Sequence, residues 1–431
     1  AAQFDNEYRG RGSYLMALKK IAQQIGFDLP FYTRTGWPEL KTPVPFGEMV
    51  PLYGDYADGF WERSLKETAG NYYKAFNFKA FRSSTAIATE QLGKQEAKIN
   101  KGDEAYPYFT CELGGGMMTS YHRRPYIYPE DAYSLAIIKL GSGSNLLGYY
   151  MYHGGTNPTA MMPGNLDDGS AVYLNENQRT QATNYNDMPV KTYDFQAPLG
   201  EFGQKNAHYF MLRKLHLFMH DYAEVLAPME SSFPCTQDIE KGDDSHLRWS
   251  LRSKDKSGFV FINNYERLQL LSARKNVQFE VCGVKFPQRP MKVPAGAMCI
   301  FPVNIDGIRY ATAQLIAKRD GKIYLEQIKG IPTEIAVDGK VLKNVKAKGI
   351  AKPVYKNIYL VDSKTAEYLF LQEEGKSMTL LAPSFKKIKE AEGVRKITMG
   401  VQKVAEEPSD ADFKKAAVYQ LNLSPEMLQG R

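Results

Sequence analysis

A chain of 431 residues, 43% of them hydrophobic, is long enough for two to four domains and too apolar for a disordered polymer. Its net charge of +7 comes from basic residues spread thinly and Lys-rich mainly toward the C-terminal side, which reads as a solvated surface and argues against nucleic acid as a partner. No run of about 20 apolar residues occurs, which excludes a helical membrane span, and no signal-peptide core opens the chain, which starts abruptly at Ala1.

The first 225 or so residues alternate short apolar strands with helix-period segments, the pattern of parallel βα units. Gln3–Phe4 reads as a strand end. Ser13 stands where it would cap a helix in which Tyr14, Leu18, Ile21 and Ile25 recur at spacings of four, three and four, and Gly26 follows where a left-handed residue is wanted. Strands are predicted at Pro30–Thr35, Val50–Tyr53, Tyr106–Cys111 and Leu146–Tyr152, and helices at Glu130–Leu140 after Pro129 and around Lys205–Leu217. With Gln3–Phe4 this makes five strands, short of the eight that close a (β/α)8 barrel.

Beyond this point the pattern turns to period two, at Gly258–Tyr265, Val277–Val281 and Met298–Phe301, the last after a turn at Pro294-Ala-Gly296. A second such stretch runs from about Ile308 to Leu381, with hairpin turns at Arg319-Asp-Gly321 and Asp338-Gly339. The fold class is therefore α/β plus all-β: the C-terminal part of a TIM barrel over 1–225, two small antiparallel β-sandwich-like domains over 226–304 and 305–385, and the start of a further, incomplete domain over 386–431.

Two carboxylates stand at strand ends. Glu7 closes Gln3-Phe-Asp-Asn-Glu7 before a polar loop, and Glu112 closes Tyr106-Pro-Tyr-Phe-Thr-Cys-Glu112 before a triple glycine. In a parallel barrel both ends open on one face. A carboxyl pair flanking one pocket is what glycoside hydrolysis needs, whereas either glutamate alone carries little weight. Aromatic residues, 12% of the chain, crowd the first half beside Gly, Asn and carboxylates, a mixture suited to stacking on sugar faces, although core packing explains most of them.

Other chemistry finds no support. The four cysteines, Cys111, Cys235, Cys282 and Cys299, lack C-x-x-C spacing and the histidines lack H-E-x-x-H, so neither a metal nor a cofactor is called for. Asn165-Leu-Asp-Asp-Gly169 lacks calcium-loop spacing, and Gly114–Gly116 lacks the residues that make a phosphate loop.

Across these motifs the chain resembles glycoside hydrolase family 35, the β-galactosidase family, of bacterial type. Asn6-Glu7-Tyr8 looks like that family's segment after barrel strand four, which would make Glu7 the general acid/base, Asn6 a ligand of the sugar 2-hydroxyl and Tyr8 a neighbour in the pocket. Glu112, at the end of strand seven, would be the nucleophile. Tyr150-Met-Tyr-His-Gly-Gly-Thr-Asn157 is similar to the segment ending strand eight, which places Tyr150 near nucleophile and sugar. Lys191-Thr-Tyr-Asp-Phe-Gln-Ala-Pro198 is similar to the segment closing the pocket, which nominates Tyr193. Two features depart from the pattern: Gly114 replaces a common aromatic residue, and Phe195 replaces a tyrosine, which loosens strict galactose specificity.

The resemblance implies an exo-acting, retaining enzyme that removes terminal β-galactosyl residues from a carbohydrate, without cofactor. Trp37 and Trp61 follow strands and stand as stacking candidates, and Tyr121, His122 and His153 as outer-subsite candidates. The resemblance also implies that barrel strands one to three are missing here and come from the parent chain. Cys282 and Cys299 flank a β-segment that they could bridge, and with a polymeric substrate this suggests a periplasmic or extracellular location. The rival readings are a non-catalytic carbohydrate-binding or scaffold homologue and the same mechanism on another β-glycoside.

Overall fold

The N-terminal half is a series of short parallel strands joined through helices, as its patterning predicts. This computed structural model describes residues 2–5, 8, 10–32, 44–62, 66, 70–84, 86, 105–157, 159–160, 172–173, 189, 191–234, 239–374 and 377–382. Strand β1 (Ala2–Gln3) pairs in parallel with β2 (Phe31–Tyr32), and β3 (Leu52–Asp55) pairs in parallel with β4 (Phe109–Leu113). Parallel bridges join Phe109 to Leu146 and Leu113 to Tyr149, so the segment from Leu146 runs beside β4. Parallel pairing leaves the ends of these strands to be joined by crossovers rather than tight turns.

Helix α1 (Gly12–Gln24) differs from expectation at one end and on one face. Ser13 lies inside it; the N-cap position is Arg11, with no side-chain cap. Leu15 and Ala22 make the buried side, while Tyr14, Ile21 and Ile25 are 44%, 53% and 70% exposed. The buried stripe is thus displaced by one position from the predicted one, onto smaller residues that let the helix approach its neighbours. Its C-terminus is as predicted. Gly26 adopts φ 98°, its N–H donates to Gln23 O at 3.1 Å, and that of Phe27 donates to Ala22 O at 3.0 Å. These two bonds satisfy carbonyls that the helix end leaves open.

Helix α2 (Pro129–Gly141) begins with a proline, whose missing N–H costs nothing in the first turn. The Asp131 carboxylate accepts the Tyr128 N–H at 2.9 Å, and every residue from Asp131 to Gly141 is buried. A helix buried all round belongs in the middle of a molecule. It packs beside α3 (Ala207–Leu226), which continues nine residues past the predicted end at Leu217.

The β-rich half is built on one seven-stranded antiparallel sheet. Its members are β7 (Glu230–Ser232), β8 (Trp249–Lys254), β9 (Ser257–Asn263), β12 (Met298–Ile305), β13 (Ile308–Ala311), β16 (Ile335–Val337) and β17 (Lys340–Leu342), in the order β17-β16-β13-β12-β9-β8-β7. Between them in sequence lie the hairpin β10 (Arg274–Val281) and β11 (Val284–Val293), then β14 (Gln314–Arg319) and β15 (Lys322–Gln327), which form a three-stranded sheet with the later β18 (Ile358–Asp362). The boundary expected at 304/305 falls inside β12, which pairs with β9 on one side and β13 on the other. One continuous ladder therefore replaces two separate sandwiches.

Period-two alternation makes this sheet the middle of three layers. Phe259 and Phe261 face a core shared with α2 and α3, while Val260, Ile262, Cys299 and Phe301 face the core under the β10–β11 hairpin. The turns at Asp320-Gly321 and Asp338-Gly339 have both residues at positive φ, between 49° and 71°. That is the twist a two-residue hairpin requires, as the sequence predicts.

Cys111, Cys282 and Cys299 are free thiols, and Cys235 lies outside the described residues. The suggested bridge fails on register. Cys299 stands opposite Ile262, whereas the sulfur of Cys282 packs against Gly258. Four residues along a strand amount to about 13 Å, well beyond disulfide reach.

Buried polar groups tie the sheet to the first half. Arg252 of β8 is fully buried and donates to Leu140 O, Ser144 O, Leu226 O and Met229 O at 2.8–3.3 Å, and to Asn145 Oδ1 at 2.7 Å. It satisfies the C-terminal carbonyls of α2 and α3 at once, where the helix dipole favours a cation. Burial lowers its pKa to about 10, which leaves it charged at neutral pH. Arg267, in the loop after β9, pairs with Asp131 at 2.6 Å and Asp58 at 3.4 Å, and Arg123 holds Asp58 at 2.8 Å. Lys214 of α3 pairs with Glu326 of β15 at 2.8 Å.

Residues 1–367 form one compact unit and 368–431 a second. The second is described through the antiparallel pair β19 (Phe370–Glu374) and β20 (Ser377–Leu381); the domain expected from 386 lies outside the described residues.

Candidate active site

Glu112 occupies the penultimate position of β4, in line with Gly54 of β3. A Cβ on Gly54 would come within 2.4 Å of Glu112 O and 2.8 Å of its Cβ, so only glycine admits the backbone this close. Glu112 is buried, and the Tyr56 hydroxyl donates to its Oε2 at 2.7 Å. Burial, followed by the Glu112 charge, pushes the Tyr56 hydroxyl well above its ordinary pKa, so it remains a donor. The Tyr32 hydroxyl, at the end of β2, is pushed up by burial first and then by Cys111 and Glu112.

Tyr150 and Tyr193 pair beyond the end of β4, where Tyr150 N donates to Leu113 O at 2.9 Å. Their hydroxyls hydrogen-bond to each other. The Tyr150 ring stands edge-on to Phe195, with centroids 5.3 Å apart and planes at 89°. β5 (Gly155–Thr156) and β6 (Thr192–Tyr193) pair antiparallel, and Glu201 accepts from Thr156 and from Thr192 to hold the pair together. Phe195, the departure from tyrosine, is only 2% exposed. It supports Tyr150 from behind.

The triple glycine is a close-packed turn. A Cβ on Gly114 would meet the Tyr56 ring at 3.0 Å, one on Gly115 would meet Met151 O at 2.3 Å, and one on Gly116 would meet Phe195 O at 2.2 Å. The chain after Glu112 thus lies directly on Tyr56, Met151 and Phe195. Phe195 and Gln196 have φ of 59° and 49°, a conformation unusual for side chains other than glycine and held here by surrounding bonds. Gln196 Nε2 donates to Met117 O at 2.9 Å and Pro125 O at 2.7 Å, its Oε1 accepts from Ile127 N at 3.1 Å, and Asp194 accepts the Gln196 N–H at 3.2 Å.

Of the residues nominated from sequence, Tyr150 and Tyr193 meet through their hydroxyls, and Tyr150 N donates to Leu113 O, next in the chain to Glu112, at 2.9 Å. Trp61 stands one layer back, its ring edge-on to Tyr56 with centroids 5.4 Å apart. Tyr8 packs on Tyr14 of α1 with ring centroids 5.1 Å apart. Asn6, Glu7 and Trp37 lie outside the described residues, as does the stretch Asn165–Gly169. Tyr121 and His153 are exposed, and His122 hydrogen-bonds Ser120. Sequence reasoning missed Tyr56, although the signal was present: it follows the last residue of β3 as Glu112 sits at the end of β4. Among the described residues, no three His, Cys, Asp or Glu side chains are grouped to hold a metal ion, and no helix is long and apolar enough to cross a membrane.

The site thus holds a buried carboxylate near the end of a parallel strand, with the Tyr56 hydroxyl bonded to it. Residues 47–219 match the family model of glycosyl hydrolases family 35. That family is one of glycosidases, and the match is to its model over this segment. The match includes Tyr56, Glu112, Tyr150 and Tyr193, and begins after Glu7. No curated protein matches the chain.

Proposed function

We propose that the protein is an exo-acting, retaining β-galactosidase, with Glu112 as nucleophile and Glu7 as general acid/base. The observation that supports this most directly is Glu112 itself, a buried carboxylate near the end of a parallel strand with the Tyr56 hydroxyl bonded to it at 2.7 Å.

In the first step a Glu112 oxygen bonds to the anomeric carbon while the glycosidic oxygen leaves with the proton of Glu7. In the second, water attacks that carbon and gives its proton to Glu7, and the ester to Glu112 breaks. The product keeps the β configuration. Such a mechanism requires the two carboxyl groups to stand about 5 to 5.5 Å apart, closer than an inverting enzyme allows. A polymeric substrate would place the enzyme in the periplasm or outside the cell.

The test is hydrolysis of an aryl β-galactoside by the full-length protein, with proton NMR following the anomer released first. Release of β-galactose, lost in Glu112→Gln and in Glu7→Gln, is the expected result. Release of the α anomer would overturn retention. No turnover of any β-glycoside would leave the carbohydrate-binding reading in its place.

A further inference from the structure

Residues 340–356 hold six lysines, Lys340, Lys343, Lys346, Lys348, Lys352 and Lys356, and no aspartate or glutamate. The whole chain carries +7, so the remainder is left with a net charge of only +1. The charge that looks thinly spread along the sequence is thus concentrated at one place, and all six side chains are exposed.

The backbone beneath them is fixed. Val345 N donates to Thr333 O at 3.1 Å and Val345 O accepts from Gln327 Nε2 at 2.9 Å. Lys348 N and Gly349 N donate to Leu360 O at 2.9 and 3.2 Å, and Val354 N donates to Ile358 O at 2.8 Å. Val345, Ala347, Val354 and Tyr355 pack inward on the core while the lysines project outward. Lys356 pairs with Asp338 at 2.7 Å, and Lys343, Lys346, Lys348 and Lys352 have no ion-pair partner among the described residues. Like charges held on an anchored backbone cannot relax apart, so their field persists at the surface.

We infer that the lysines of residues 340–356 form a binding surface for an acidic polysaccharide, a chain bearing uronic carboxylates. The stretch contains no arginine, and its one aromatic ring, Tyr355, is half-buried beneath Lys356. The ring stacking that grips single-stranded nucleic acid is therefore missing, and the exposed ammonium groups complement carboxylates repeated along a polymer. The choice of a carbohydrate rests on the glycosidase reading; the surface itself does not.

The experiment is salt elution of the chain from immobilised polygalacturonate and from immobilised duplex DNA, with neutral galactan as the uncharged control. The variant Lys343→Glu/Lys346→Glu/Lys348→Glu/Lys352→Glu is compared with a charge-matched control, Lys254→Glu/Lys256→Glu/Lys275→Glu/Lys285→Glu, whose four lysines are also exposed. Thermal midpoints show that both remain folded. The wild type and the control should be retained on polygalacturonate, and the loop variant should elute at about half their salt concentration or less, because fewer counterions are released. Equal loss in both variants would reduce the effect to net charge and overturn the proposal. So would failure of the wild type to bind, or tighter retention on DNA. Binding is read without turnover, so loss of the glycosidase reading would show separately, as absent hydrolysis with retention intact.

Discussion

At the scale of single residues, the Tyr56 hydroxyl is a contact that holds Glu112. Tyr56→Phe removes a charge-assisted hydrogen bond and should lower kcat/KM on an aryl β-galactoside roughly 10- to 100-fold, the equivalent of about 1.5–3 kcal/mol, while circular dichroism stays unchanged. Gln196 offers a second test. Its amide donates to two carbonyls, so Gln196→Glu would set a carboxylate oxygen against them and should lower the thermal midpoint most at neutral pH. The gap to wild type should narrow as the pH approaches 4 and the acid form regains a donor. A constant gap would show that the amide is not the clamp. Glu112 was legible in the sequence because a carboxylate at a strand end before glycines has a chemical reason to be there. Gln196 was not, because its importance lies in the carbonyls of Met117 and Pro125, which no spacing reveals.

At the scale of elements, helix α3 carries a pH dependence. Burial holds His216 at about 4, below its ordinary 6.5, while its Nε2 lies 2.8 Å from the Tyr149 hydroxyl. The unfolded chain binds a proton first, so this contribution is complete above pH 6.5 and is lost as the pH falls toward 4. The span corresponds to at most about 3 kcal/mol. Thermal midpoints of wild type and His216→Gln should therefore differ in slope over that window, with the variant flatter; parallel slopes would place the titration elsewhere. Arg252 serves two helices, and Arg252→Met should cost about 3 kcal/mol or more in denaturant unfolding, with Arg252→Lys recovering little because an ammonium cannot fork. Helix positions were legible from periodicity, as Gly26 and Pro129 show. Caps and faces were less so: Ser13 was one residue too far in, and the stripe of Tyr14, Ile21 and Ile25 turned outward, because propensity does not say which side a neighbour occupies.

At the scale of the molecule, the sheet and the strand-helix half share one core, and the expected boundary near 225 does not separate two folding units. Phe259 and Phe261 pack toward α2 and α3, and Arg267 reaches back to Asp58 and Asp131. A chain ending at Leu226 would expose that face and leave the buried Asp131 without its cation, so it should lack a cooperative unfolding transition. A soluble fragment that melts cooperatively would refute this. The hairpins were legible from their Asp-Gly turns, but the joining of two predicted sandwiches into one ladder was not, since β12 carries the same alternation whichever neighbour it meets.

The reach of Arg267 also bears on how damage would be inherited. A survey of random substitutions scored only by sugar release would mark Arg267 and Arg252 as sensitively as the pocket itself, although neither is proposed to touch a sugar. Many inactivating alleles should therefore map to the sheet, and they should be separable from true pocket alleles by the amount of protein that accumulates rather than by the rate at which the remaining molecules turn over.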